Sequence, residues 1–486
     1  MPDITFSGLA SGMNTNDIVA KLMAIEQQPL DRLQAQKTSE GQRLQAYGQL
    51  NTLLQNLKTA VGAMNLSTNA SPTVATSGNS GVFTAVSASG TTGSYNISVS
   101  QLAQVQKSVS SGYTSQTDPL FGNGTLTVNG QAITIDDSNN SLRGIAQSLN
   151  AVADQTGVTA SIINDGSGTP YRLVLTGKDA STNFTVESDL QAADGSPIPF
   201  GVINTQNAQQ AKLNIDGIDV VSNSNTISGA IAGVVLNLTG VSQNTGTPEA
   251  PQYQKTSLNV TADTDALKGK ITDFVNAYNA VMNWVSSAYT TSTDNSTTDS
   301  SSTSTSSSSS SSTSTDSTTT SDGNPLSTLL RGDATVNSIK RSLQSILGNA
   351  VGDGSFKILA EIGISTNRDG SLSIDSTKLN TALDQNFTGV SELLAGNGYT
   401  DGVMKRFNSY LLQVTSPSSG MYASKQTIYN DKVKSLDAQI SVQTVALDKR
   451  QADLYARFSA MESLISNLNS ASSYLTQFSL QQLSSK

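Results

Sequence analysis

Apolar residues recur at intervals of seven near the C-terminal end of the chain. The series comprises Val433, Ile440, Leu447, Leu454, Met461, Leu468 and Leu475. A residue at every seventh position returns to one face of an α-helix, and a repeat sustained over several turns is typical of a coiled-coil seam. The spacing predicts a long helix over 424–478 whose apolar face packs on another helix.

A matching pattern stands near the N-terminal end of the chain. One apolar stripe, with steps of three and four, comprises Tyr47, Leu50, Leu54, Leu57, Val61 and Met64. A similar stripe upstream comprises Ile18, Leu22 and Ile25. The pattern predicts helix over 15–66, with a bend at Pro29 and an N-cap at Asn14 or Thr15. We expect these two end segments to pack on each other or on neighbouring subunits.

The periodicity leaves two arrangements open, an intramolecular helical hairpin and a bundle between subunits. A coiled-coil seam needs two apolar positions in every heptad. The second position is polar at Gln443, Arg450 and Arg457, which disfavours a simple two-stranded coil. The apolar stripe is expected to widen instead through Phe458 and Ile465. The predicted oligomer or stalk interface comprises Ile18, Leu22, Ile25, Leu50, Leu54, Leu57, Ile440, Leu447, Leu454, Met461, Leu468 and Leu475.

Between the two ends the periodicity changes from helical to twofold. Alternating apolar segments flank three turn dipeptides, each predicting a hairpin: Asn129-Gly130, Asp216-Gly217 and Asp369-Gly370. Further strands are predicted near 83–99, 158–163, 171–176, 234–238 and 258–260, with one short helix over 141–153. The predicted fold class is α+β, with a helical coiled-coil stalk or leg formed from both chain ends and inserted β-rich head domains.

Helical spacing returns after the β region. Further helices are predicted over 267–285, 333–347, 376–385 and 402–414. Between the first two lies a tract, residues 290–322, that contains only Ser, Thr, Asp and Asn. Because the tract has no apolar residue to bury, it cannot offset the entropy cost of ordering, and we predict that it is disordered.

Composition narrows the possible chemistry. The chain has no His and no Cys, which excludes Ser-His-Asp and Cys-His catalysis, disulfides and thiolate metal sites. Its net charge of −9 disfavours a general affinity for nucleic acid or anionic membrane. No apolar run has the length of a membrane span or of a secretory signal. We expect no membrane insertion, and either a cytosolic location or export without a cleaved signal.

Candidate reactive motifs fail on geometry. Residues 365–370 resemble the start of a calcium loop, but the position of the bidentate Glu is Ser376, so a hairpin turn is favoured. Asp136 and Asp137 are adjacent on a strand and point to opposite faces. Trp284 is expected to pack rather than to bind a ligand. We therefore predict no catalytic residue, no cofactor and no metal, and a protein that is not an enzyme.

Three segments resemble one family. GLASGMNTNDIVAKLMAIEQQPLDRLQ at 8–34 resembles the N-terminal segment of the flagellar filament-capping family, also called hook-associated protein 2 or FliD. LNIDGIDVVSNSNTISGAIAGVVLNLTGV at 213–241 is similar to its central segment, and LAEIGISTNRDGSLSIDSTKL at 359–379 to its C-terminal one. Residues 125–177 resemble the β-β-α-β insertion motif of flagellins and hook-associated proteins.

The resemblance implies a secreted bacterial protein, exported by the flagellar type III apparatus and located at the filament tip. It implies a ring of several copies that promotes the folding and insertion of flagellin subunits. The implied partners are other copies of the chain, flagellin, hook-associated junction proteins and a cytoplasmic export chaperone at the C-terminal segment. Two alternatives stay open: a tip adhesin that binds host mucin or glycan, and a hook–filament junction protein.

The resemblance also implies a domain order along the chain. The helical parts are an N-terminal helix and export segment at 1–42, leg helices at 43–72 and 264–289, a leg domain at 323–440 and a C-terminal helix at 441–486. The β parts are one head domain in two pieces, 73–103 and 206–263, and a second head domain inserted at 104–205. The tract at 290–322 departs from the family pattern.

Overall fold

The chain's two ends and its middle form separate compact units. The computed structural model describes residues 14–192, 196, 200–289, 326–351 and 354–484. One unit combines both ends, Met1–Ser67 and Gly269–Lys486, and the other is Thr68–Lys268. The predicted α+β class, with a β-rich segment inserted between helical ends, is confirmed. The tract at 290–322, predicted to be disordered, lies outside the described residues.

Helices dominate the unit formed by the chain ends. The described helices of both units, in chain order, are α1 Thr15–Gly62, α2 Ser67–Ala70, α3 Leu142–Ala151, α4 Ala153–Thr156, α5 Thr264–Ser287, α6 Ala334–Gly348, α7 Ser376–Ala395, α8 Val403–Val414 and α9 Met421–Ser484. Of these, α3 and α4 lie in the inserted unit. Short 3₁₀ helices cover Leu326–Leu330 and Leu359–Ile362. The predicted boundaries at 42/43 and 440/441 fall inside the continuous helices α1 and α9.

Strands occupy the inserted unit, apart from one small hairpin. They are β1 Thr73–Ser77, β2 Phe83–Ser87, β3 Gly93–Gln101, β4 Lys107–Val109, β5 Gly124–Val128, β6 Gln131–Ile135, β7 Val158–Asn164, β8 Tyr171–Gly177, β9 Val186–Ser188, β10 Ile203–Gln206, β11 Ala211–Ile215, β12 Ile218–Ser222, β13 Thr226–Ile231, β14 Val234–Leu238, β15 Thr256–Ala262, β16 Ile364–Thr366 and β17 Leu372–Ile374. The hairpin β16–β17 lies in the helical unit.

Two hydrophobic cores organise the inserted unit. One is shared by an antiparallel five-stranded sheet, in the order β1-β15-β3-β11-β12, and a three-stranded sheet, β13-β14-β2. The other contains the buried face of α3, with Ile145 and Leu149, against the sheets β10-β4-β8-β7 and β6-β5-β9. Phe121 packs edge-on against Phe200 in this second core, with ring centroids 5.8 Å apart. Twofold alternation in the strands supplies both cores.

Two of the predicted turns require a left-handed backbone. Asn129 and Gly130 have φ values of 50° and 78° between β5 and β6, and Asp216 and Gly217 have 48° and 93° between β11 and β12. Positive φ at both central residues matches the twist of the flanking strands, which is why Asn-Gly and Asp-Gly favour such hairpins. Both hairpins, and the β16–β17 hairpin around Gly370, are confirmed.

The helix α1 begins where the sequence predicts. Asn14 is the N-cap, since its side-chain oxygen accepts a hydrogen bond from the Asp17 N–H at 3.2 Å. Helix continues through Pro29 to Gly62 without interruption. Downstream, Leu50, Leu54 and Leu57 are completely buried in the helical unit. They give α1 the apolar face that stabilises a long helix far better than propensity alone.

Some elements differ from the prediction. The helix predicted over 376–385 does end at a kink, since Asn386 has non-helical φ and ψ of −152° and 67°, but a second helical segment that was not predicted follows within α7 as far as Ala395. The continuation is stabilised by burial of Val390, Leu393 and Leu394. Strand β13 was not predicted, because Gly229 and a shift of register against β14 interrupt its alternation.

The β13–β14 hairpin generates a test with a matched control. Both Gly229 and Gly233 have positive φ, 90° and 74°. A Cβ at Gly229 meets no atom within 4 Å, whereas at Gly233 it would lie 2.6 Å from the Ser89 carbonyl oxygen. We expect Gly229→Ala to lose about 1–2 kcal/mol of stability through backbone strain. Gly233→Ala should lose at least about 1 kcal/mol more through the clash. Calorimetry of the two full-length variants measures the difference; equal losses would contradict the clash.

The paired terminal helices as a candidate functional site

Helices α1 and α9 lie antiparallel along each other within one chain. Lys37 pairs with Asp437 at 2.6 Å, while Glu26, earlier in α1, lies 3.7 Å from Arg450, later in α9. The residue numbers in one helix fall as those in the other rise, which is the antiparallel order. Of the two arrangements left open by the sequence, the structure therefore contains the intramolecular hairpin.

A small apolar cluster closes the hairpin near the start of α1. Val19, Met23 and Leu447 are buried together. Partly buried residues packed against them are Leu30, Leu454, Tyr455 and Phe458. The widening of the stripe through Phe458 is therefore present. The contact places two predicted interface residues, Leu447 and Leu454, on the face of α9 that meets α1.

The upstream stripe of α1 faces elsewhere. Leu22 is 42% exposed and Ile25 is 65% exposed, and neither belongs to the cluster with Leu447. The sequence left open whether this stripe packs on the C-terminal helix or on a neighbouring subunit. Within the chain, Val19 and Met23 occupy the face of α1 that meets α9. At 100° per residue, neighbouring apolar positions define two adjacent faces, and the periodicity of Ile18, Leu22 and Ile25 alone does not select between them.

The middle of the hairpin uses residues that the sequence reasoning missed. Tyr429 and Leu436 are buried, and they stand fourteen and seven positions before Gln443, respectively. They occupy the same heptad position as Gln443, Arg450 and Arg457, but earlier in the helix, where this position is still apolar. Their spacing of seven residues could have predicted their burial from the sequence. Nearby, Ile440 is only half-buried, and together with Gly41 it lines a groove of about 470 Å³.

A partly buried polar network connects three segments of the helical unit. The Tyr47 hydroxyl on α1 donates to Asp333 Oδ2 at 2.6 Å, and Asp333 also caps α6 by accepting from the Thr335 and Val336 N–H groups. From α9, Lys425 Nζ lies 3.9 Å from the same carboxylate and 4.8 Å from the centre of the Tyr47 ring. One carboxylate thus links α1, α6 and α9.

The network shifts the protonation of its members. Burial alone would raise the pKa of Asp333, but hydrogen bonds from Tyr47 and from the backbone, with the charge of Lys425, bring the pKa below its ordinary value of 3.8. Burial, followed by the hydrogen bond to the carboxylate, raises the pKa of Tyr47. At neutral pH the pair is therefore a neutral phenol donating to a charged carboxylate, which is a strong type of hydrogen bond.

The final part of α9 extends past the start of α1. Leu468 and Leu475 of the predicted interface are 59% and 67% exposed, and Met461 is half-buried. No described residue of the chain covers this apolar row. The predicted interface is therefore divided, with its first part packed inside the chain and its last part open to solvent.

The described residues contain few features of a reactive site. No three His, Cys, Asp or Glu side chains among them are grouped so that they could hold a metal ion. Asp136 and Asp369 accept hydrogen bonds within their own turns, from Ser138 and Ser371 respectively. Trp284 donates to Gln49 at 3.2 Å, as expected of a packing residue. In the same part of the chain, no helix combines the length and apolar character of a membrane span.

Comparison with protein families finds three matches along the chain. The model for the flagellar hook-associated protein 2 C-terminus matches residues 208–470, and the model for its N-terminus matches residues 11–106. The flagellin hook IN motif matches residues 125–179. The last match falls on the second β core and its helix α3.

Individual relatives are similar over nearly their whole length. The flagellar hook-associated protein 2 of Escherichia coli K12 is 30% identical over 98% of each chain. The A-type protein of Pseudomonas aeruginosa is 28% identical over 97% of this chain and 96% of its own. The chain is also similar to the crystal structure of the flagellar cap protein FliD D1-D2-D3 domains from Escherichia coli, with a TM-score of 0.57 and 29% identity. The match covers 79% of this chain and 99% of that chain.

The Tyr47–Asp333 pair generates a second test. Tyr47→Phe should lose about 1–2 kcal/mol of stability at neutral pH, because a partly buried carboxylate loses its donor. Since the folded pKa of Asp333 is lowered, this contribution is present above about pH 4 and is lost as the carboxylate is protonated at lower pH. The matched control is Tyr278→Phe, since the buried Tyr278 hydroxyl has no hydrogen-bond partner in the described structure. Urea titrations at pH 7 and pH 3 measure both variants. A loss at Tyr278 equal to that at Tyr47 would contradict the assignment.

Proposed function

The chain belongs to the flagellar hook-associated protein 2 family, and we propose from this premise that it caps the growing tip of a bacterial flagellar filament. The observation that carries the proposal is similarity over 98% of both this chain and its Escherichia coli relative. The shared length includes the paired helices α1 and α9 and the inserted β region. The protein acts outside the cell as a structural component of the flagellum.

The helical hairpin suits a protein that must hold its ends together during assembly. Buried Leu447 packs α9 against α1, and the exposed Lys37–Asp437 pair lies along the same contact. The exposed residues Leu22, Ile25, Leu468 and Leu475 lie on the same helices and offer apolar area to other subunits. We assign the contacts between copies of the cap to these helices.

The inserted β region is the part that we assign to flagellin. The flagellin hook IN motif coincides with one of its two hydrophobic cores. That core supports the predicted head domain at 104–205, and the other core supports the head domain assembled from 73–103 and 206–263. Hook-associated junction proteins and an export chaperone at the C-terminal segment remain proposed partners. The mucin-binding adhesin and the hook–filament junction stay as predictions.

Deletion of the gene tests the proposed function. A strain that lacks the cap should secrete unpolymerised flagellin into the medium and carry no filaments, and a plasmid copy should restore them. A strain that lacks only an adhesin should keep its filaments, and a strain that lacks a junction protein should lose them even when purified cap is supplied. Electron microscopy and immunoblots of the medium separate the three outcomes.

A substitution in the hairpin connects the function with the structure. Leu447→Asp places a carboxylate in the cluster with Val19 and Met23 and removes a side chain whose burial contributes roughly 1.5–3 kcal/mol. We expect this variant to fail to restore filaments in the deletion strain and to leave flagellin in the medium.

The control for this variant is Ser441→Asp, which adds the same charge at an exposed position of α9. It should restore normal filaments. Circular dichroism of the purified variants verifies that the strands stay folded in both. Full restoration by Leu447→Asp would show that the cap does not need the packed hairpin.

A further inference from the structure

Three Asn-Gly dipeptides in the chain offer the same reaction in different surroundings. They begin at Asn123, Asn129 and Asn397, and all three asparagines are exposed. In such a dipeptide the backbone nitrogen of the glycine can attack the side-chain carbonyl carbon of the asparagine, because glycine has no Cβ that blocks the approach. The attack forms a cyclic succinimide and releases the side-chain nitrogen as ammonia. Since exposure is shared, the hydrogen bonds around each asparagine decide which one reacts.

Asn397 lies in the loop that joins α7 to α8. Its Oδ1 accepts hydrogen bonds from the backbone N–H groups of Tyr399 and Thr400, at 3.0 and 2.9 Å, and from the Thr400 hydroxyl at 3.1 Å. These donors follow Asn397 by two and three residues, which is the geometry of an Asx turn. The side chain therefore curls back over the peptide of Gly398, whose nitrogen is the nucleophile of the reaction.

The same three donors favour the movement of electrons in the reaction. When the Gly398 nitrogen attacks the carbonyl carbon, the π electrons of the carbonyl move onto Oδ1 of Asn397, which becomes an oxyanion. Hydrogen-bond donors already aimed at that oxygen stabilise the developing charge, as donors do in the oxyanion holes of acyl-transfer enzymes. The loop thus supplies, from its own residues, the electrostatic part of the catalysis.

The nucleophile and the leaving group at Asn397 are both unengaged. Among the described residues, none accepts a hydrogen bond from the Gly398 N–H or from Asn397 Nδ2. A Cβ built at Gly398 would meet no atom within 4 Å, so water and base can reach this peptide. The nitrogen can therefore lose its proton, and ammonia can leave, without breaking a hydrogen bond to the described protein.

The other two dipeptides lack this combination. The Nδ2 of Asn129 donates to the Thr156 carbonyl oxygen at 2.7 Å, and its Oδ1 accepts from the Thr185 N–H at 3.1 Å. Contacts outside its own turn thus fix this side chain and engage its leaving nitrogen. At Asn123 no described residue donates a hydrogen bond to the side-chain oxygen, and Gly124 is held as the first residue of strand β5.

We propose that Asn397-Gly398 is a self-modification site, at which the folded protein converts its own Asn397 to aspartate and isoaspartate. A C–N bond forms between the Gly398 nitrogen and the Asn397 Cγ, the Cγ–Nδ2 bond breaks, and the proton lost by the nucleophile leaves with ammonia. Water then opens the succinimide at the side-chain carbonyl to give aspartate, or at the backbone carbonyl to give isoaspartate. The reaction needs only the folded chain and water, so it does not depend on the cap function.

Either product alters the connection between α7 and α8. A Cβ at Gly396 would lie 2.2 Å from the Thr400 carbonyl oxygen, so the loop has no spare space at its base. Isoaspartate adds a methylene to the backbone, which disturbs the pairing of Gly396 with Asp401. Aspartate places a carboxylate in the small groove that Asn397 shares with Glu392, where the two like charges repel. The loop therefore loosens as the protein ages.

Peptide mass spectrometry of the aged full-length protein tests the proposal. The protein is held for days in mildly alkaline buffer made with water that carries a heavy oxygen isotope, which marks products formed before digestion. Asn123 and Asn129 are internal controls in the same sample. We expect Asn397 to convert at least about tenfold faster than either, because preformed donors and a positioned nucleophile accelerate the attack. Equal or slower conversion at Asn397 would overturn the proposal.

Two variants and a denatured sample show whether the fold causes the difference. Thr400→Val removes one donor to Oδ1 and keeps the side-chain shape, so it should slow conversion of Asn397 about threefold or more. Thr381→Val removes a hydroxyl that bonds only to the Thr377 carbonyl oxygen within α7, and it should leave the rate unchanged. Circular dichroism verifies that both variants are folded. In concentrated urea the three sites should convert at rates within about threefold of one another. A rate that Thr400→Val does not lower, or a tenfold lead of Asn397 that persists in urea, would contradict the proposal.

Discussion

The antiparallel packing of α1 on α9 is the contact on which the helical unit depends. It brings the two ends of the chain together, so that everything between Gly62 and Met421 must leave and return to one helical element. Neither helix could be stable at such a length in water by propensity alone. The Tyr47–Asp333–Lys425 network also ties the start of α6 to this pair of helices.

Burial along the hairpin changes systematically from one end to the other. Around Leu50 and Leu54 the apolar face of α1 is completely buried, around Val19 the buried cluster is small, and past Met461 the apolar residues of α9 are exposed. Apolar area that is already buried inside a subunit stabilises the subunit, whereas apolar area left open is available for association. The buried part of the helical hairpin therefore stabilises the subunit, and the exposed part of α9 past Met461 is available for contacts with other molecules.

The inserted unit follows a different physical rule. Its two cores are formed by strands that alternate buried and exposed residues, and left-handed turns at Asn129-Gly130 and Asp216-Gly217 fix their register. A shift of one residue would move every apolar side chain to the other face of its sheet. Local turn geometry fixes these two hairpins, but the five-stranded sheet also needs pairings between distant strands, such as β1 with β15 and β3 with β11. Both units therefore depend on contacts between residues more than a hundred positions apart.

The sequence by itself determined the elements whose signals are local. The heptads of α9, the N-cap at Asn14, the three hairpin turns and the α+β class all depend on residues within a few turns or strands of each other. Tertiary structure decided which of two adjacent apolar faces of α1 meets α9, because Val19 and Leu22 have equivalent periodicity and differ only in what lies opposite. It also decided that Asp333 accepts from Tyr47, a contact across 286 positions, and that the seam is closed at Leu447 and open at Leu468. The reason is that a periodic pattern specifies a face, whereas the partner of that face depends on where the other helix ends.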